Sequence, residues 1–242
     1  MLNIELFLLV TLLTVIGSIL QASVGFGYGL VVVPFLLVID TNFVPVPIIF
    51  SSLFLMSHIA YKNRFSLSGH SIHYIIIGLL VGAPIGAIIL SNIDTNTLIY
   101  FVSIVVMLGL IASFLNFTVK ITPRAQFAAA TTASILGTSI GIGGVPIALL
   151  YQNETGGRIR AVLSTAFFVG SIFSLIALSF ASKVSSASLL LGCYLIPGIF
   201  IGSFIGQKCA VYIDKGYSRV AILLLSSGSV VYLLYGVLII RV

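Results

Sequence analysis

The sequence predicts an all-α integral membrane protein made of two inverted repeats, each with one broken or re-entrant element and three transmembrane helices. Three observations carry this. Of the 242 residues, 60% are hydrophobic and only 7% are charged, with a mean hydropathy of +1.27. A soluble domain carries about 25% charged residues, so a soluble globular protein, a disordered chain and a disulfide scaffold are excluded. Second, the apolar residues fall into eight segments, near 4–39, 46–61, 74–91, 96–117, 126–151, 161–181, 189–210 and 218–240. Runs near 20 residues suit helices, whereas barrel strands would alternate. Third, two of the segments are interrupted by glycine-rich breaks that align with each other.

Segment one is broken by Gln21-Ala22-Ser23-Val24-Gly25-Phe26-Gly27-Tyr28-Gly29, and segment five by Gly137-Thr138-Ser139-Ile140-Gly141-Ile142-Gly143-Gly144-Val145-Pro146. Closely spaced glycines oppose regular helix, and Pro146 lacks an N–H. Ser18-Ile19-Leu20-x-x-Ser23-Val24-Gly25-x-Gly27 matches Ser134-Ile135-Leu136-x-x-Ser139-Ile140-Gly141-x-Gly143. Later, Gly78-x3-Gly82-x3-Gly86 before Ile93-Asp94 matches Gly198-x3-Gly202-x3-Gly206 before Ile213-Asp214. Two matches in the same order predict repeats at 1–118 and 119–242.

Loop charge selects the arrangement. If every segment crosses, the basic residues divide six against five. If segments one and five return to the side they came from, Lys62, Arg64, Lys120, Arg124, Arg158, Arg160, Lys208, Lys215 and Arg219 share one side. Only Lys183 and Arg241 then face the other. The positive-inside rule prefers this re-entrant arrangement. It leaves three crossings per repeat, so the repeats are inverted, both termini lie outside and the 118–125 loop is cytoplasmic. The scattered cations, net +6, form no polyanion-binding patch, so no nucleic-acid partner is expected. The N-terminal apolar run has neither a basic n-region nor a cleavage site, and is expected to stay in the chain.

Paired glycine-interrupted segments point to a transporter's binding site. Each break leads into a helical arm whose first turn exposes N–H groups and a positive dipole end. Two such ends facing one cavity form an anion site without a buried cation. The expected substrate-binding residues are Gln21, Ser23, Gly25, Phe26, Gly27, Tyr28, Thr138, Ser139, Gly141, Gly143 and Gly144. Ser51 and Ser164 are added, either lining the cavity or bonding their own backbone.

The break Ser23-Val24-Gly25-Phe26-Gly27-Tyr28-Gly29 with Pro34, and Ser139-Ile140-Gly141-Ile142-Gly143-Gly144 with Pro146, resemble the TauE/SafE family of sulfite and organosulfonate exporters. The resemblance spans essentially the whole chain. It implies export of sulfite, sulfoacetate or a related anion through the bacterial inner membrane. Tyr28 departs from the family pattern, standing where a third close glycine is common.

Other residues point elsewhere or nowhere. His58 is expected at the membrane interface and His70 and His73 in a solvent-facing loop, none at metal-helix spacing. Lys208 either snorkels or draws anions to the inner mouth. The glycine stripes read as helix packing and Cys193 and Cys209 as small apolar residues. No enzyme motif, metal site or cofactor is expected. Glu5, Asp40, Asp94, Glu154 and Asp214 sit near segment ends, so a carboxylate relay is poorly supported. The expected partners are a small anionic substrate and the lipid bilayer, in a monomer or homodimer. A permease for another small anion such as a carboxylate, or a non-transporting membrane scaffold, are the alternatives.

Overall fold

A computed structural model describes residues 3–67, 72–114 and 119–213. Among the described residues there are helices and no strands. The ordered elements are α1 (Ile4–Val24), α2 (Tyr28–Ile39), α3 (Val46–Asn63), α4 (His73–Asn92), α5 (Thr95–Phe114), α6 (Pro123–Ile140), α7 (Gly144–Tyr151), α8 (Gly156–Phe180) and α9 (Ser186–Ile213). Four helices are long and apolar enough to cross a bilayer: Ile4–Val24, His73–Asn92, Gly156–Phe180 and the Ser186–Tyr212 part of α9. The apolar stretches Tyr28–Ile39 and Thr95–Gly109 are shorter. The segment expected at 218–240 lies outside the described residues, as do His70, Asp214, Lys215, Arg219 and Arg241.

Both broken segments fold as helical hairpins. Gly17 on α1 is packed against Tyr28 and Val32 on α2, which is possible only if α2 runs back along α1. Tyr151, at the end of α7, accepts a hydrogen bond from Gln126 Nε2 near the start of α6 at 2.7 Å, so this hairpin also closes. Each reversal is made by a glycine in the left-handed region, Gly25 at φ 105° and Gly141 at φ 77°. Their N–H groups donate to Gln21 O and Gly137 O, completing the last helical turn. A side chain at either position would be strained.

The hairpins are held by the glycine stripes, and each stripe belongs to a distant stretch of chain. Gly78, Gly82 and Gly86 on α4 lie against the carbonyls of Phe127, Thr131 and Ile135 on α6. Gly198, Gly202 and Gly206 on α9 lie against those of Thr11, Val15 and Ile19 on α1. In the register that aligns Ser18 with Ser134, Thr11, Val15 and Ile19 are the counterparts of Phe127, Thr131 and Ile135. A Cβ at Gly78 or Gly86 would sit 2.6 Å from a backbone oxygen. Hydrogen at those positions lets two helix backbones touch, as small residues do in membrane packing. Both contacts run in increasing order, so α4 is parallel to α6 and α9 to α1.

These contacts sort the chain ends. At one end lie the close of α3, the starts of α4, α6 and α8, and the close of α9. Ser66 packs on Gly157 there, and Arg160 reaches Asn63 and Ser23. That end holds Lys62, Arg64, Lys120, Arg124, Arg158, Arg160 and Lys208, with Glu154 the one carboxylate among the described residues. At the other end lie the start of α1, the 3-10 turn Thr41–Phe43, the α4–α5 turn and the α8–α9 turn. Thr41, Asp94, Lys183 and Ser188 line one outer cavity of about 290 Å³. Among the described residues that end holds Glu5, Asp40 and Asp94 against Lys183. Asp94 is also the N-terminal cap of α5. The Thr97 hydroxyl bonded to it holds its carboxyl below the ordinary carboxylate range, so this cap is complete at neutral pH and is lost as pH falls through the lowered pKa.

Hydroxyls along the apolar helices bond their own backbone. Ser91 donates to Ala87 O and Ser103 to Ile99 O, both at 2.8 Å. The outward faces are apolar, with Ile77, Val81, Ile85 and Ile88 of α4 exposed in a row. In water such a face would drive aggregation; against lipid it is the matched surface.

α8 departs from the sequence expectation. Segment six was expected from 161, with Arg158 and Arg160 in a loop, yet the helix starts at Gly156 and Arg160 is 6% exposed inside it. The two arginines read as loop residues because hydropathy cannot reveal that one guanidinium is buried against other helices.

Overpacking one stripe should loosen the fold. Gly82→Ala and Gly202→Ala are each expected to cost about 1–3 kcal/mol. Gly137→Ala, whose added Cβ would meet nothing closer than 3.6 Å, should cost less. Thermal unfolding in detergent measures the difference, and equal Tm values for all three would contradict the stripe assignment.

Candidate functional site

The two hairpin turns meet backbone to backbone. Gly29, in the first turn of α2, lies against the Gly141 carbonyl and the Ile142 Cα. A Cβ added at Gly144, which opens α7, would sit 3.5 Å from Phe26 Cβ. A side chain at Gly29 would collide with that carbonyl, so glycine is required for the approach. Beside the junction is a cavity of about 90 Å³. One ordered water needs roughly 10–15 Å³ on this measure, so the space admits an ion of a few heavy atoms. Among the described residues no charged side chain lines it.

Six of the residues singled out in the sequence line this cavity: Gln21, Gly27, Tyr28, Gly141, Gly143 and Gly144. The starts of α2 and α7 therefore both face it. First-turn N–H groups have no intrahelical acceptor, and each start carries the positive end of a dipole.

Gln21 has a structural use that its sequence position does not reveal. It is 2% exposed. Its Nε2 donates to Gly25 O at 2.6 Å and lies 3.6 Å from Met56 Sδ. Its Oε1 accepts from Tyr28 N at 3.1 Å. One amide thus bridges the last carbonyl before the break and the first donor after it. Leaving such buried groups unpaired is costly.

The other expected residues lie behind the cavity wall. Ser23 Oγ donates to Ile19 O at 2.6 Å, and Ser139 Oγ to Ile135 O at 2.7 Å. Ser164 Oγ donates to Arg160 O, and Ser51 Oγ to Ile48 O at 3.0 Å. Ser51 also lies 3.3 Å from the Tyr28 hydroxyl, fixing that ring. Thr138 Oγ1 is 2.6 Å from Ser174 Oγ. Gly25 packs on the backbone of Arg160, and Phe26 on Gly144. These groups frame the turns.

Ser52, which adjoins Ser51 in the sequence and shares its expected place at the cavity, lines it together with three further hydroxyls, Ser134, Ser171 and Ser174. Proton counting separates them. Ser134 donates to Leu79 O at 2.7 Å and Ser52 to Ile49 O at 2.8 Å. Each hydroxyl has one proton, so Ser134 and Ser52 have none left to give. Ser171 is 3.0 Å from Ser52 and can keep that bond or turn into the cavity. In the Thr138–Ser174 pair one proton bridges and the second remains to be given. Ser171 and Ser174 are therefore the cavity's adjustable donors. They share one face of α8 with Phe167 and Gly170, at i, i+3, i+4 and i+7 spacing. That stripe is legible in the sequence as a row of small and hydroxyl residues on a helix.

His58 lies outside this cavity, stacked on Phe204 with ring centroids 4.9 Å apart. His73 is exposed beside Tyr74, Lys208 is exposed on α9, and Cys193 and Cys209 are free thiols. No cluster of metal-ligating residues occurs among the described residues.

The bridging role of Gln21 has a direct consequence. Gln21→Leu strands Gly25 O and Tyr28 N together and should lower stability by about 1–3 kcal/mol. Ser23→Ala, which removes a bond within one helix turn, should cost less. Denaturation of both variants in detergent decides between them, and a neutral Gln21→Leu would contradict the bridge.

No curated protein and no solved structure matches the chain. Residues 9–233 match the family model described as Sulfite exporter TauE/SafE, nearly the full length and both hairpins included. The chain accordingly belongs to the TauE/SafE sulfite exporter family of membrane transporters.

Proposed function

We propose that this protein exports a small sulfur oxyanion, sulfite or a short organosulfonate such as sulfoacetate, from the bacterial cytoplasm across the inner membrane. One observation carries the reading. Two helix starts and an adjustable hydroxyl face converge on a single small cavity that has no charged lining. Such a site attracts negative charge through dipoles and N–H groups while holding no fixed cation that would trap it. The substrate is taken to sit against Gly27, Tyr28, Gly143 and Gly144, with Ser171 and Ser174 donating to its oxygens. Gln21, Ser23, Ser51, Thr138, Ser139 and Ser164 hold the frame around it.

The architecture proposed with this function is two inverted repeats, 1–118 and 119–242, giving eight apolar segments with α1–α2 and α6–α7 as the re-entrant elements. Support comes from the matched stripe contacts and from the hairpins entering from opposite ends. The crowding of basic side chains at one end supports a cytoplasmic position for that end, with both termini outside. Access alternates as one hairpin with its partner helix rocks against the other. One chain lines the whole cavity, so a monomer suffices.

No carboxylate lines the cavity, and the membrane potential is then the driving force. An inside-negative potential favours anion exit by about 2.3 kcal/mol per charge per 100 mV. Proteoliposomes loaded with sulfite or sulfoacetate and clamped at a set potential test this. Efflux should rise with inside-negative potential and need no proton gradient. Ser171→Ala/Ser174→Ala should lower it roughly tenfold, the equivalent of about 1.4 kcal/mol, while Ser23→Ala/Ser139→Ala stays within about threefold of wild type. Carboxylates that compete as well as sulfonates would favour a general anion permease. Folded protein that moves neither anion would sink the export reading.

A further inference from the structure

Arg160 is the only charged side chain buried among the described residues. It lies in the opening turns of α8, where a cation opposes its own helix dipole. Its guanidinium reaches other helices. Nη1 donates to Ser23 O at 2.9 Å, and Nε lies 3.5 Å from Asn63 Oδ1. Ser23 O belongs to the last turn of α1, where carbonyls lack intrahelical donors and the dipole is negative. The Arg160 backbone completes the contact, since Gly25 packs 3.3 Å from its Cα on the measure of an added Cβ. One residue therefore fastens the turn of the first hairpin to the ends of α3 and α8.

The surroundings are basic. Lys62 adjoins Asn63, and Arg64 stacks between Tyr61 and Phe65 at 4.1 and 4.3 Å. Arg158 is paired with Glu154 at 2.6 Å. Lys208 follows Gly206, which packs on Ile19 beside the same turn. Clefts of one sign concentrate ions of the other.

We propose that Arg160 is an anion-operated latch: a sulfur oxyanion arriving at the basic end takes the guanidinium from the Ser23 carbonyl and so frees the turn of hairpin one. A guanidinium is a planar fork matched to two oxygens of an oxyanion. A bond ionised on both sides is stronger than one to a neutral carbonyl. The exchange leaves the Ser23 carbonyl without this donor, a cost that the stronger guanidinium–oxyanion bond offsets and that loosens the turn. The latch rests on the export reading and adds an initial anion contact distinct from the central cavity.

Hydrogen exchange on the whole protein in nanodiscs tests it, with sodium sulfite as the probe and sodium chloride as the reference. Amides of residues 22–27 should exchange at least threefold faster with sulfite in the wild type. In Arg160→Gln they should exchange fast without sulfite and ignore it. Arg160→Lys, which keeps the charge without the fork, should fall between. In the same vesicles, efflux should drop at least tenfold in Arg160→Gln and recover in part in Arg160→Lys. Wild-type exchange that sulfite leaves unchanged overturns the latch, whatever the efflux. Lost efflux in Arg160→Gln with wild-type protection of residues 22–27 also overturns it. Absent efflux in the wild type with a sulfite-dependent exchange response supports the latch and counts only against the export reading.

Discussion

Backbone oxygen against bare glycine is the contact on which the structure depends. The carbonyl rows of α1 and α6 can lie flush on α9 and α4 only because three successive turns of each partner helix carry no side chain. Between lipid-facing helices there is little hydrophobic driving force, so close packing has to hold them. The hairpins sit where they do because their longer arms are clasped along that row. Once α1 and α6 are fixed, their glycine turns are brought into contact, and the cavity is the space beside that junction.

The junction demands that unpaired backbone be managed without water. Gln21 bridges one break with both ends of its amide, and Arg160 takes a carbonyl just before the turn. The starts of α2 and α7 are aimed into the cavity, where a ligand can complete them. A site of this kind binds with what the backbone leaves over, so its side chains are mostly neutral. On the proposed export reading, an anion site can then lack a cation in the cavity while positive charge gathers at one end of the molecule.

The architecture was legible because its determinants are local and repeated. The breaks at Gly25 and Gly141, the stripes from Gly78 and Gly198, and the helix bounds within a few residues all follow from glycine spacing and apolar runs. Of the residues the sequence singles out for the candidate site, Gln21, Gly27, Tyr28, Gly141, Gly143 and Gly144 line the cavity. Which hydroxyls face it was not legible. Ser23 and Ser171 are both serines in apolar helices, and only the helix packing decides that one is turned into its own helix while the other, against Ser52 of α3, lines the cavity. Arg160 was hidden for the same reason, because its acceptors Ser23 and Asn63 are roughly a hundred or more residues away in the chain.

The stripe contacts also set an order of events during synthesis. Gly202 clasps Val15, and nearly the whole chain separates them. At roughly 5–20 residues per second, about ten to forty seconds pass between the emergence of α1 and of its clasp. Through that interval the first hairpin is in the membrane with its carbonyl face uncovered. The second hairpin has no such wait, since α4 precedes α6 and is ready to receive it. The molecule therefore assembles around its later hairpin, and the first to be made is the last to be seated.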